Sequence, residues 1–152
     1  MNNEEKLQRF VIKLMDMTVL GEIHWNILDN NTAVVYPKKI PFGAKLLGHA
    51  YEAHYSYRNY PSHIDRYFHL YRCQLPIFDN EEVSPNPIGW YDNFSYYLGI
   101  YDENRVFLDE ISRFVVVEDL YEEVKNQIHP IDDFIDLVLS IPNFEHTTEV
   151  SE

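Results

Sequence analysis

Between residues 4 and 18, apolar side chains recur at spacings of three and four. Leu7, Phe10, Val11, Leu14 and Thr18 form one stripe, and Lys6, Arg9, Lys13 and Asp16 fall outside it. That spacing predicts a helix. Asn2 or Asn3 supplies a cap oxygen at its start, and Gly21 can end it as the residue just past the last turn.

The period then changes to two. Ile23 to Leu28 and Thr32 to Tyr36 are short β-type runs around the turn signal Asp29-Asn30-Asn31, and Pro37 and Pro41 punctuate the next loop. Leu47 to Arg58 alternates clearly: Tyr51, Ala53, Tyr55 and Tyr57 on one face, Glu52, His54, Ser56 and Arg58 on the other. A turn at Asn59-Tyr60-Pro61-Ser62 leads into a second strand from about Asp65 to Leu75, apolar on both faces and therefore central. Pro76 is expected to end it, because proline cannot donate to the ladder.

Residues 79–93, with Pro85, Pro87 and Gly89, are expected to form a long loop. Strands follow at Tyr96–Tyr101 and Arg105–Ile111 around Asp102-Glu103-Asn104, and the β-branched run Phe114–Val117 suggests one more. Helical spacing returns in Leu120, Tyr121, Val124 and Ile128, is broken at His129-Pro130, and resumes over 131–140 before Pro142. Phe10, Leu14, Leu70, Leu120, Val124 and Phe134 are the expected core positions. Helix, antiparallel strands, then helices is the order of an α+β fold. It calls for a meander-like sheet of four to six strands with an N-terminal helix and two C-terminal helices. Residues 1–142 make one domain, and 143–152 form a polar tail expected to fray.

Composition narrows the function classes. No stretch reaches the roughly 20 apolar residues that a membrane helix needs, and the first residues do not resemble an export signal. Cys73 is the single cysteine, which excludes an internal disulfide and suits a reducing, cytoplasmic setting. The net charge of −13 argues against binding nucleic acid. That charge is lopsided. Residues 1–100 carry 11 acidic against 9 basic side chains, whereas residues 101–152 carry 14 acidic against Arg105, Arg113 and Lys125.

The five glycines build neither a phosphate loop nor a dinucleotide fingerprint, and no zinc-protease helix, paired cysteines or nucleophile elbow is present. No cofactor and no structural metal are expected. Two Glu-x-His pairs, Glu22/His24 and Glu52/His54, could each place a carboxylate and an imidazole on one strand face, a weak pattern whose simpler meaning is surface polarity. His69 and Cys73 lie four apart on one strand, about 13 Å at 3.3 Å per residue, too far for a nucleophilic dyad.

Two surfaces remain. Pairing about Pro61 is expected to gather Tyr51, Tyr55, Tyr57, Tyr67, His69 and Tyr71 into one aromatic face, either core beneath the helices or a recognition surface. The second surface is acidic: Glu118, Asp119, Glu122 and Glu123 on one helix, Asp132, Asp133 and Asp136 on the next. Glu118-Asp119 and Asp132-Asp133 suit first turns, and the shortage of nearby cations suits steering of a basic partner. The favoured function is therefore a non-enzymatic, cytoplasmic interaction protein that binds and inhibits a protein partner, of unspecified oligomeric state. Immunity proteins, antitoxins and phage-encoded inhibitors share this size and charge, an analogy of composition alone. The alternative is a small-ligand-binding or hydrolytic protein with a Tyr/His-lined pocket under the 79–93 loop.

Overall fold

A computed structural model of the chain describes residues 2–28, 44–59, 61–78 and 87–142. The expected strand at Thr32–Tyr36, the loop residues 79–86 and the tail 143–152 lie outside these. Helix α1 (Asn3–Val19) starts at Asn2, whose Oδ1 accepts from the Glu5 amide at 2.8 Å, and it ends just before Gly21 at φ 74°. Strands β1 (Trp25–Ile27), β2 (Lys45–Leu46), β3 (Tyr51–Asn59), β4 (Ser62–Ile77), β5 (Gly89–Tyr101) and β6 (Phe107–Ile111) form one antiparallel sheet. Its order is β1-β3-β4-β5-β6, and β2 continues the β3 side of β4. Helices α2 (Val115–Ile128) and α3 (Asp132–Ser140) close the chain. The fold is α+β: among the described residues, a six-stranded antiparallel sheet with one helix before it and two after.

Helices α1 and α2 cover one sheet face. Val11 and Leu14 of α1 and Val117, Leu120, Tyr121 and Val124 of α2 meet Tyr51, Ala53, Phe68, Leu70, Leu98 and Ile111 of the sheet. Phe10 is only partly buried and meets Phe68 edge-on at 5.9 Å. Polar bonds lock the helices to each other and to β1. Thr18 takes the Trp25 indole on its Oγ1 at 3.0 Å, and its carbonyl accepts from Gln127 at 2.9 Å.

Four local expectations fail for physical reasons. The Leu47–Arg58 strand is interrupted, because Gly48 at φ 70° kinks the chain between β2 and β3 beside the Arg72 side chain. Pro76 does not end β4, which continues to Ile77 through a register shift between Gln74 and Pro76; an irregularity is where a sheet tolerates proline. The stretch 89–93 is strand rather than loop. Val115–Val117 is the first turn of α2, not a strand: Arg113, at φ 74°, turns the chain out of the sheet, and burying Val117 with Leu120, Tyr121 and Val124 outweighs β propensity. Asp119 consequently lies beyond the first turn of α2, which holds Glu118.

On the other sheet face, Gly99 lies beneath the fully buried Tyr101 ring. A Cβ there would sit 2.9 Å from a ring carbon. A Gly99→Ala variant should therefore unfold about 1–3 kcal/mol more easily, read from the urea midpoint, because the ring cannot retreat without leaving its well. An unchanged midpoint would mean the ring has room to move.

Candidate functional site

The register of the central hairpin decides the fate of the aromatic face. Asn59 pairs with Ser62, so each odd residue of β3 faces an even residue of β4: Tyr51 with Leu70, Tyr55 with Arg66, Tyr57 with Ile64. Tyr51, Tyr55 and Tyr57 therefore point to the helix side, while Tyr67, His69 and Tyr71 share the opposite face with Glu52 and His54. The expected six-residue face does not exist. A two-residue turn makes the paired numbers sum to an odd value, and a one-residue change of register moves every side chain to the other face. Tyr51 is core against Tyr121, ring centres 5.4 Å apart; Tyr57 is exposed.

On the second face His69 and Tyr71 belong to a directed hydrogen-bond chain, and Tyr67 lies under the guanidinium that starts it. Arg105 donates through Nε and Nη2 to both carboxylate oxygens of Glu52, each at 3.1 Å. Glu52 Oε2 lies 2.7 Å from His69 Nε2. An ionised carboxylate only accepts, so His69 carries its proton on Nε2 and its Nδ1 accepts from the Tyr71 hydroxyl at 3.1 Å. Tyr71 in turn accepts from Tyr101 at 2.9 Å. Buried Glu110 on β6 acts on the same cluster, its charge helping to raise the Tyr71, Tyr101 and Cys73 pKa values.

Electrostatics follow from burial. Desolvation holds the His69 imidazole below its ordinary 6.5, against Glu52, which favours the charged form. Desolvation pushes Glu52 up, but hydrogen bonds from Arg105 and His69 prevail, and its pKa lies below 4.5. Burial raises the Tyr71 hydroxyl strongly and the Cys73 thiol to about 11, so Cys73 is an inert core thiol. Arg105 itself occupies φ 61°, a region favourable to glycine or asparagine, while its guanidinium stacks 4.1 Å over Tyr67. The turn before it is fixed by Asp102, whose Oδ1 accepts from the Asn104 and Val106 amides.

These shifts set a pH dependence. For both His69 and Glu52 the unfolded chain binds protons more readily than the folded one, so stability rises with pH across their titrations. The His69 contribution is complete above its unfolded value of 6.5 and is lost as pH falls below it; that of Glu52 is lost below 4.5. Thermal melts should therefore fall as pH drops from 7 towards 5, and His69→Gln should flatten that part of the curve. A wild-type melt flat over this range would refute the assignment.

Neither Glu-x-His pair acts as a unit. Glu52 turns to Arg105 and His69, whereas His54 stacks on Tyr67 and lies 3.1 Å from Asp65, which also meets His63 at 2.8 Å. Glu22 and His24 are exposed ahead of β1. Among the described residues, no group of three or more His, Cys, Asp or Glu side chains is arranged to hold a metal ion.

The acidic residues divide differently. Glu118 and Asp119 are exposed, while Glu122 and Glu123 are half-buried. Glu122 lies 3.9 Å from both Arg72 and Lys125. Asp136 is exposed on α3, and the side chains of Asp132 and Asp133 lie outside the described set.

Helix α3 carries the largest surprise. Phe134, expected in the core, is 65% exposed, Leu137 62% and Leu139 77%; Ile131 and Ile135 are exposed as well. At 100° per residue, positions 132, 133, 136 and 140 form a polar stripe and 134, 135, 137, 138 and 139 an apolar arc about twice as wide. The helix packs extensively on no described element. His129 and Pro130 account for this: α2 ends at His129, whose ring stacks on His49 at 4.9 Å, and Pro130 redirects the chain before α3 begins. Periodicity revealed the apolar arc but not what lies against it.

No helix among the described residues is long and apolar enough to cross a membrane. No protein-family model, curated protein or solved structure matches this chain, so its function must be read from its own surfaces.

Proposed function

We infer that this chain is a non-enzymatic, cytoplasmic protein-binding module that inserts α3 into an apolar groove on a partner protein and inhibits it by occupying that groove. The observation that carries this reading is the unburied apolar arc of α3. A contiguous apolar surface on a helix that packs on little else is an interaction site by default, and groove binding of an amphipathic helix uses this spacing of anchors. A nine-residue helix is also too short to be stable alone in water, where about 12–15 residues are marginal. Burial against a partner supplies what the helix lacks.

The acidic third adds the partner's chemistry. Asp136 on α3 and Glu118 and Asp119 on α2 favour a groove rimmed by Lys and Arg, and such rim charges act mainly on the rate of encounter. The buried thiol of Cys73 fits a reducing compartment.

The test places a photo-activatable side chain at Leu137 in the native cell. One discrete cross-linked partner is expected, its yield abolished by Phe134→Asp. With that partner in hand, the triple change Glu118→Gln, Asp119→Asn and Asp136→Asn, at the exposed carboxylates, should slow association and flatten its salt dependence. An absent adduct, or one indifferent to Phe134→Asp, would sink the reading.

A further inference from the structure

The two helices on the sheet lie at different levels along β4. Helix α1 sits over Phe68, whose ring meets Phe10 at 5.9 Å. Helix α2 sits over Arg72, whose guanidinium carbon lies 5.3 Å from the Tyr121 ring and whose Nη1 is 3.9 Å from Glu122. Four strand residues separate the two levels, about 13 Å, close to one helix diameter. The next such level, around Gln74 and Pro76, is open. Lys45 pairs with Gln74 and Gln74 with Phe94, so these three side chains share the helix side with Arg72. Trp90, paired with Pro76, joins them, because Lys45 Nζ lies 5.1 Å from its ring. Lys45, Trp90 and Phe94 are exposed.

Helix α3 fits this slot in length, apolar surface and charge. Its nine residues make about 13.5 Å of helix. Strands β2, β4 and β5, side by side across the slot, span about 10–14 Å at 4.8 Å per strand. The apolar arc brings exposed Phe134, Leu137 and Leu139 to set against Trp90 and Phe94. The polar stripe holds Asp132, Asp133 and Asp136, and the slot is edged by Lys45, Arg72 and Lys125, with Glu122 between the last two. The chain's own α3 is held away from it. The His129 amide donates to the Lys125 carbonyl at 2.7 Å, its ring stacks on His49 at 4.9 Å, and Pro130 fixes the next φ. A connection pinned at its start directs α3 off the sheet. An unpacked terminal helix beside an open seat of its own size is the arrangement that exchange between identical chains completes.

We propose that α3 of a second copy occupies this slot and that the exchange is reciprocal, giving a twofold dimer. Each chain then contributes one helix and one seat, so the contact closes on itself and does not propagate. Local charge favours it, since the acidic stripe of α3 meets Lys45, Arg72 and Lys125. The net charge opposes it: two copies at −13 repel at long range, so the dimer is weak and salt tightens it. The consequence rests on the reading of α3 as the docking helix. An exchanged α3 has its apolar arc covered, and only the monomer presents that arc to another protein's groove.

Sedimentation equilibrium of the full chain should give monomer at about 1 µM and dimer towards about 500 µM, the range of a weak specific contact. Raising the ionic strength from about 0.05 to 0.3 M should favour the dimer, the reverse of the salt dependence expected for a basic groove. Phe94→Asp in the seat and Leu137→Asp on the helix should each weaken association at least about tenfold. Both side chains are exposed, and melting curves of the two monomers check that each variant is folded. Should Phe94→Asp fail to fold, Lys45→Glu on the surface of the same seat replaces it. An equimolar mixture of the seat and helix variants should recover association, because one intact helix then meets one intact seat. The proposal is overturned if the chain is still monomeric at about 500 µM, or if the mixture associates no better than either variant alone. It is also overturned if Leu137→Asp breaks the dimer and the seat variants do not, since α3 would then pair with α3. A chain that stays monomeric leaves the cross-linked partner standing, whereas loss of that partner with the dimer intact removes the groove reading alone.

Discussion

A Leu70→Ala variant is expected to lose about 2–5 kcal/mol of unfolding free energy, the range for removing a buried leucine where the surroundings cannot collapse. Leu70 is completely buried in the middle of β4, paired with Tyr51 on one side and Leu98 on the other. Val11, Leu14, Val117, Leu120 and Val124 cover this face from the helix layer. Strands on both sides and helices above leave no element free to close the cavity. For a domain of ordinary stability, around 5–15 kcal/mol, the loss is a large fraction of the whole. Urea denaturation measures it, with the slope unchanged and the midpoint lowered. A loss below about 1 kcal/mol would mean that the helix layer settles onto the sheet far more readily than its packing implies.

The largest functional effect is expected at α3. Phe134→Asp combined with Leu137→Asp should reduce affinity for the cross-linked partner at least about 100-fold, since anchor side chains at an interface centre each contribute 2 kcal/mol or more. The same pair should leave the melting temperature of the isolated chain nearly untouched, because both side chains are already exposed and exposed substitutions usually act within about 0.5 kcal/mol. That dissociation between binding and folding separates an interface from a core. Hydrogen exchange supplies a partner-free check. The α3 amides should exchange almost as fast as open chain, whereas those of β4 should be protected up to the global unfolding energy. If the double substitution instead lowers the melting temperature by several degrees, α3 is part of the fold and the groove reading is lost.

The sequence by itself determined the element order, the core stripe of α1, the Leu120–Val124 face of α2 and the α+β class, because each rests on a period that every residue of an element reports locally. It also determined the apolar arc of α3, but not its exposure: burial depends on what lies opposite, and the His129-Pro130 break decides where that arc points. The Arg105–Glu52–His69–Tyr71–Tyr101 chain could not be found by spacing. Its members come from three strands and a hairpin turn, and the hairpin register puts His69 beside Glu52 and away from Tyr51, Tyr55 and Tyr57. That β6 pairs with only Leu98–Tyr101 of the long β5 was equally hidden, since a strand's sequence states which side chains alternate and says nothing of which backbone edge a neighbour covers. Tertiary structure decided these features for one physical reason. Periodicity encodes which face of an element is apolar, while register, crossing and the point where Arg113 turns the chain are set by contacts between residues distant in sequence.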